Sequence, residues 1–213
     1  GTAAREAVPV LEGALKDKDP GVRFAAGAAL AKLGLPGEGL PVLIAALKDE
    51  SAGRQGTAAR LLGEVGPPAK AAIPAIMELL KDDEGSVRMY AAEALGKIGP
   101  AAKEAVPALI DALNSGGEYL PCPAAQALGR IGPAAKAAVP ALREALKDEK
   151  ARVREAAAQA LGEIGPAAKE AIPALRKALS DEYVREAAAE ALKKIQTAAA
   201  PRAAGTTQPG GKQ

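Results

Sequence analysis

The feature that most constrains the fold of this chain is a Val/Ile/Leu-Pro dipeptide that returns at a nearly fixed interval. Its prolines are Pro9, Pro41, Pro74, Pro107, Pro140 and Pro173. Successive prolines are 32, 33, 33, 33 and 33 residues apart. A constant period in this range is typical of an array in which one supersecondary unit stacks on the next. The sequence therefore predicts six copies of one unit.

Each period contains two amphipathic helical patterns, which we name A and B. The A pattern is clearest in residues 87–99, where the apolar face consists of Val87, Ala91, Ala94, Leu95 and Ile98. The B pattern that follows buries Val106, Leu109 and Leu113 at helical spacing. Neither helix can bury its apolar stripe alone, so we expect neighbouring pairs to stack into one continuous core.

The turn between the two patterns contains Gly99 and Pro100. Gly99 is placed where a helix end favours a left-handed residue, and Pro100 suits the first turn of a helix. Pro107 lacks an N–H, so a B helix that starts at Pro100 is expected to kink there. The alternative is that B begins nearer Glu104, after a loose turn.

The periodicity predicts about twelve helices in six B–A pairs. The expected A helices cover about 20–33, 53–65, 86–98, 122–131, 151–164 and 182–196. The expected B helices include about 3–16, 38–48, 69–81, 135–147 and 168–179. We predict a repeat array over 1–196 and a disordered tail over 197–213, since the tail is rich in Ala, Pro, Gly, Thr and Gln and has no apolar period.

The helix pair, the Gly-Pro turn, the Val-Arg pair early in A and the Asp that closes B resemble HEAT repeats. They are most similar to the HEAT-like repeats of bacterial phycobilisome lyases, over about residues 1 to 195. The resemblance implies an all-α, right-handed α-solenoid with the B helices on its concave side. It also implies a hydrogen-bonded ladder between repeats, formed by Asp17, Asp49, Asp82, Asp148 and Asp181 with Arg23, Arg88, Arg154 and Arg185. Gln55, Ser115 and Pro121 interrupt this pattern.

Composition argues against several kinds of site. There is no histidine, which removes the commonest general base and metal ligand. Cys122 is the single cysteine; near a helix start its thiol pKa could be lowered, but it has no evident base partner. The net charge is +2, and no apolar run approaches the ~18 residues of a spanning helix. We expect no cofactor, no metal, no nucleic-acid binding and no membrane insertion.

Two sets of residues are candidates for binding a partner. One B-helix position is apolar in the middle repeats, at Ile44, Met77 and Ile110, and could form a strip in the groove, although it could equally be ordinary core. The irregular segments 50–57 and 114–123 interrupt the repeat on one edge, and their exposed candidates are Arg54, Gln55, Glu118 and Tyr119.

Two further rows of side chains follow the repeat. Phe24, Met89 and Cys122, with Glu155 and Glu186 at equivalent positions, are expected to point from the A helices toward the convex side. A basic row runs along the starts of the B helices, and is either an anion-contacting edge or a solvated row: Arg5, Lys70, Lys103, Lys136 and Lys169.

The leading functional hypothesis is a non-enzymatic interaction scaffold that binds a protein or peptide on the concave B-helix face or the irregular loop edge. Gly1 aligns with Gly99, in the middle of a repeat, so we expect a monomeric segment of a longer protein. The cytoplasm is favoured over export. The alternatives are a chromophore-handling protein, implied by the resemblance to phycobilisome lyases, and a DNA-binding HEAT-like protein.

Overall fold

A computed structural model of the protein describes residues 7–115 and 117–197. In this part of the chain the A helices are α2 (Pro20–Lys32), α4 (Ala52–Val65), α6 (Gly85–Ile98), α8 (Pro121–Ile131), α10 (Ala151–Ile164) and α12 (Arg185–Thr197). The B helices are α1 (Val8–Ala14), α3 (Leu40–Ala46), α5 (Ile73–Leu79), α7 (Val106–Leu113), α9 (Val139–Ala145) and α11 (Ile172–Ala178). The A helices therefore lie close to their predicted bounds. Of the predicted tail over 197–213, Thr197 is the last residue of α12, and the rest lies outside the described residues, as does the start of the first B helix.

The B helices are shorter than predicted, because a 3₁₀ segment precedes four of them. These segments are Pro67–Ala72, Gly99–Ala105, Gly132–Ala138 and Gly165–Ala171. Each following α-helix begins at the residue before its proline, so Pro107 lies in the first turn of α7, where its missing N–H costs nothing. The last three 3₁₀ segments also join A to B without a break, so the described helical backbone forms nine continuous stretches rather than about twelve.

A glycine with positive φ ends the A helix where the chain turns toward B. Gly99 has φ 72° and ψ −140°, so the predicted positive φ is confirmed, although ψ is not that of the left-handed helix. The same φ recurs at Gly66, Gly132 and Gly165. This combination of φ and ψ is essentially restricted to glycine, so the repeat requires glycine at this position.

The core is built from the apolar stripes of both helix types. Leu95 and Ile98 of α6 and Leu109 of α7 are fully buried, and alanines fill the closest contacts between helices. No polar or charged residue of the described chain is buried. Because one contiguous cluster runs from Leu43 to Ile195, each repeat is stabilised by its neighbours, as the stacking argument predicted.

Successive A helices pack backbone against backbone at one repeated position. A Cβ built on the glycine of one A helix would lie 2.8 Å from the Cα of an alanine in the next, in the pairs Gly63–Ala94, Gly96–Ala127, Gly129–Ala160 and Gly162–Ala191. Side chains seldom allow such an approach. The A helices are therefore closer together than helices separated by Leu or Ile, whose axes lie 8–10 Å apart.

This packing makes each repeat a wedge that is narrow at its A helix. Successive A helices contact one another along their length, whereas the B helices of neighbouring repeats meet at few points. A stack of wedges curves toward its narrow edge. The spacing therefore favours the A helices, rather than the expected B helices, as the concave side.

Candidate functional site

The predicted apolar strip on the B helices is partly covered. Ile44, Met77 and Ile110 lie on α3, α5 and α7, and each is half-buried against the hydrophobic core. The equivalent Arg143 of α9 is also half-buried, and its Nε has no hydrogen-bond partner. The position therefore serves the packing between repeats and leaves only part of each side chain for a partner, on the wide side of the array.

The two irregular segments differ in structure. Helix α4 already begins at Ala52, so Arg54 and Gln55 lie in its first turn and are half-buried rather than exposed. Arg54 donates from Nη1 to Asp49 Oδ2 at 2.8 Å. Its guanidinium group therefore stabilises the preceding turn. Glu118 and Tyr119 are exposed as predicted, before α8, and Tyr119 is 65% exposed.

The ladder residues act mainly within each B-to-A turn. One carboxylate oxygen of each Asp accepts from the backbone N–H two residues later, as Asp82 does from Glu84 at 2.9 Å. The arginine of the same repeat donates to backbone carbonyls of the turn, as Arg88 does to Asp82 O at 2.6 Å. Arg23 and Arg185 also donate to backbone carbonyls in this way. The short turn leaves these carbonyls without helical partners, so the arginine satisfies them.

Among the described residues, one bond of this set joins two repeats. Arg154 Nε donates to Asp181 Oδ2 at 2.7 Å, while its Nη1 donates to Asp148 O in its own turn. The hydrogen bond from Arg154 lowers the pKa of the Asp181 carboxyl. The predicted ladder between repeats therefore consists of this single hydrogen bond among the described residues. The other arginines of the set donate within the turn of their own repeat instead.

The outward face of the A helices carries several half-buried apolar side chains. Phe24 of α2 and Met89 of α6 are half-buried; Phe24 lies beside Pro41, Val42 and Ala45 of α3, and Tyr90 packs against α4. Gly56 of α4 leaves room for that ring, since a Cβ on Gly56 would lie 2.8 Å from Tyr90 Cδ2. This face was expected to be convex, but it lies on the narrow side. We call it the A face, defined by Phe24, Met89, Tyr90 and Cys122 with the polar residues that continue it along α10 and α12.

Cys122 continues the A face on α8 and is not activated. The thiol is half-buried and receives a hydrogen bond from Gln126 Nε2 at 3.7 Å. Burial raises its pKa, and Glu155 adds to the effect, while Arg152 opposes it. The idea that a helix start lowers the pKa of this thiol is wrong, because desolvation outweighs the nearby cation.

On the last two A helices, the side chains of the A face are mostly acidic. A groove of about 380 Å³ lies between α10 and α12. Its charged and amide side chains are Glu155, Gln159, Glu163, Glu186, Glu190 and Lys194. None of the four carboxylates forms an ion pair within 4 Å in the part of the chain that the structure describes. The groove therefore carries a local charge of about −3 in a chain whose net charge is +2.

The basic row is exposed. Lys70, Lys103, Lys136 and Lys169 all lie in the 3₁₀ segments and reach solvent, while Arg5 lies outside the described residues. Over residues 7–115 and 117–197 there is no group of three or more His, Cys, Asp or Glu side chains arranged to hold a metal. In the same ranges, no helix has the length and hydropathy needed to cross a membrane.

Comparisons with known proteins agree with this architecture. A family model described as HEAT repeats matches residues 1–54, 40–120 and 106–193. No curated protein matches the sequence. The complex of CpcE and CpcF of phycocyanin lyase from Nostoc sp. PCC7120 is similar in structure, with a TM-score of 0.61 and 28% identity over 88% of this chain and 76% of that one.

Two artificial proteins are also similar in fold. The crystal structure of an engineered protein gives a TM-score of 0.67 at 25% identity, over 89% of this chain and 96% of that one. A designed armadillo repeat protein in complex with the peptide (KR)4 gives 0.70 at 20% identity, over 88% and 99%. These neighbours confirm the predicted all-α solenoid.

Proposed function

The chain belongs to the HEAT-repeat family, and from this premise we propose that it is a non-catalytic scaffold that binds an extended segment of a partner protein along the A face. HEAT and armadillo solenoids are typical of protein-interaction scaffolds. This proposal keeps the predicted scaffold and moves the binding surface from the B helices to the concave A helices.

The observation that carries the proposal is that half-buried apolar side chains lie on the A face, the layer whose helices approach one another most closely. Phe24 is the only phenylalanine of the chain, and Met89 is one of two methionines. Met89 leaves part of its surface open to solvent on the A face, and Phe24 leaves part of its surface open at a pocket that α3 also lines. Apolar surface left on a concave face can be buried by a docked peptide at about 25 cal/mol per Å² of area removed from water.

The proposed absence of catalysis is supported by the chemistry of the A face itself. Its polar groups are carboxylates, an amide and lysine, and its one thiol has a raised pKa. Nucleophilic catalysis by a thiol requires a lowered pKa and a neighbouring base, which Gln126 cannot supply.

The two methionines allow a direct test, because they lie on opposite layers of the array. Met77 is on α5 in the B layer, and Met89 is on α6 in the A layer, and both are half-buried. We would select peptides against the chain from a random display library and add the best binder to protein labelled with ¹³C at the methionine methyl groups. The NMR signal of Met89 should shift on binding, and that of Met77 should not.

The matched variants are Met89→Lys and Met77→Lys. We expect Met89→Lys to weaken the selected peptide by at least tenfold and Met77→Lys to leave its affinity within about twofold. Burying the exposed remainder of Met89 is worth up to about 1.5 kcal/mol, and a lysine in its place would also have to lose its hydration. A shift confined to Met77, or the reverse pattern of affinities, would place binding on the B helices instead. If no selected peptide perturbs either methyl group, the scaffold proposal itself fails.

A second candidate function is chromophore handling, which the 28% identity with the phycocyanin lyase subunits favours. The assay is absorbance and fluorescence of the purified chain after incubation with a free bilin. A red-shifted, protein-bound chromophore would favour this function over the scaffold.

A further inference from the structure

The A face changes character along the array, and this change constrains the partner. In repeats one, three and four it presents Phe24, Met89, Tyr90 and Cys122, all half-buried, while repeat two has Gly56 at the position of Met89. In the last two repeats the position of Met89 is occupied by Glu155 and Glu186, and both are exposed. One docking surface thus begins apolar and ends acidic.

We infer that the partner of the A face is an extended peptide segment whose apolar residues dock on the first repeats and whose Lys and Arg residues occupy the acidic groove between α10 and α12. This inference rests on the proposed function, because it specifies the occupant of the same face.

Charge complementarity is the first argument for a basic occupant. Glu155, Glu186 and Glu190 line the groove with a single cation, Lys194. Glu163 also lines the groove, but its carboxylate lies over Gly129 of α8. These four carboxylates have no cation within 4 Å among the described residues, so an incoming ammonium or guanidinium group would not need to displace one. A cationic side chain that enters the groove would be attracted by several carboxylates at once.

The position of the groove is the second argument. It lies on the same side of the array as Met89, and is separated from it by α8 and the width of α10. With the axes of A helices in backbone contact no more than ~8 Å apart, the distance along the face from Met89 to the groove is about 20 Å. An extended chain advances ~3.3 Å per residue, so about six residues separate the apolar anchor from the basic residues.

The test uses three synthetic peptides that differ only in charge. Each carries two leucines, a spacer of six Gly and Ser residues, and four terminal residues that are all Lys, all Gln or all Glu. Dissociation constants are measured by fluorescence polarisation in 50 mM and 500 mM NaCl. We expect the Lys peptide to bind at least tenfold more tightly than the Glu peptide in 50 mM NaCl, and the ratio to fall in 500 mM NaCl, because salt screens exposed charges.

The protein variants assign that preference to the groove. The groove variant carries Glu155→Gln, Glu163→Gln, Glu186→Gln and Glu190→Gln. The control variant carries the same change in net charge at exposed glutamates elsewhere, namely Glu78→Gln, Glu104→Gln, Glu170→Gln and Glu182→Gln. Gln and Glu have similar helix propensities, so both variants should fold.

We expect the groove variant to lose the preference for the Lys peptide and the control variant to retain most of it. The inference is overturned if the Lys and Glu peptides bind equally well, or if the groove variant still prefers the Lys peptide. Binding of the Gln peptide tests the scaffold proposal separately. If none of the three peptides binds and Met89 is unperturbed, both proposals fail.

Discussion

The close approach of the A helices leads to a sharp prediction about Gly96. In an exposed helix interior, replacing glycine with alanine stabilises a protein by about 0.5–1 kcal/mol. At Gly96 the new Cβ would lie 2.8 Å from Ala127 Cα and 3.2 Å from Ala127 Cβ, and backbone atoms cannot rotate away. Helices α6 and α8 would have to separate by roughly 0.6–1 Å to restore ordinary contact, and overpacking of this kind costs about 1–3 kcal/mol.

The expected net effect of Gly96→Ala is a loss of about 1–2 kcal/mol after the helix-propensity gain is subtracted. The matched control is Gly53→Ala, in the first turn of the A helix α4, where the nearest atom is Ser51 Oγ at 3.8 Å. We expect that variant to be unchanged or about 0.5 kcal/mol more stable.

The assay is urea denaturation followed by circular dichroism at 222 nm, with thermal unfolding as a second measure. A loss of 1–2 kcal/mol lowers the midpoint temperature of a chain of this length by about 2–8 °C. Adding Ala127→Gly should restore only part of the loss, because the contact with the Ala127 Cα remains. If Gly96→Ala is as stable as Gly53→Ala, the A helices are not in backbone contact and the assignment of the concave side loses its basis.

Three further predictions concern single positions. Gly99→Ala should cost about 1–3 kcal/mol by urea denaturation, since the backbone conformation at Gly99 strains any residue with a Cβ. Asp181→Asn should destabilise the chain at pH 7. The pKa of Asp181 is lower in the folded chain than its unfolded value of about 3.9, so the ionised carboxylate stabilises the fold above that pH. This stabilisation is lost as the pH falls below 4 and through the folded pKa, and there the variant and the wild type should become equally stable. Cys122 should react with a disulfide reagent more slowly than free cysteine at pH 8, because its pKa is raised, and denaturation should remove the difference.

The repeat explains how much of the fold was visible in the sequence. The spacing of 33 residues between Pro74, Pro107, Pro140 and Pro173 shows that the same helix pattern recurs in each copy. A wrong interpretation of one copy can therefore be recognised by comparison with the others. The A helices have long apolar stripes and glycine ends, and their predicted bounds are close to those observed. The B helices were predicted too long, because the spacing of Ala102 and Ala105 fits a 3₁₀ segment and an α-helix equally well.

The candidate site was predicted less well than the fold. Arg54 is at an irregular position and was taken for a free side chain, yet a partner only five residues away, Asp49, binds it in the preceding turn. Phe24 and Met89 were identified as surface residues of the A helices and expected on the convex side, whereas the close spacing of the A helices favours the concave side for them. Helical periodicity gives the angle of a side chain around its own helix, and does not give the side toward which a stack of helices bends.

The sequence by itself determined the period, the helix pairs, the glycine at each A-helix end and the apolar stripes, because these depend on interactions within one repeat or with its nearest neighbour. Only the tertiary structure decided which layer is concave. That property depends on the difference in spacing between the A and B layers, which Gly63, Gly96, Gly129 and Gly162 set by allowing backbones to touch. Curvature is a sum of small differences over all repeats, so it becomes visible only when the helices are packed together.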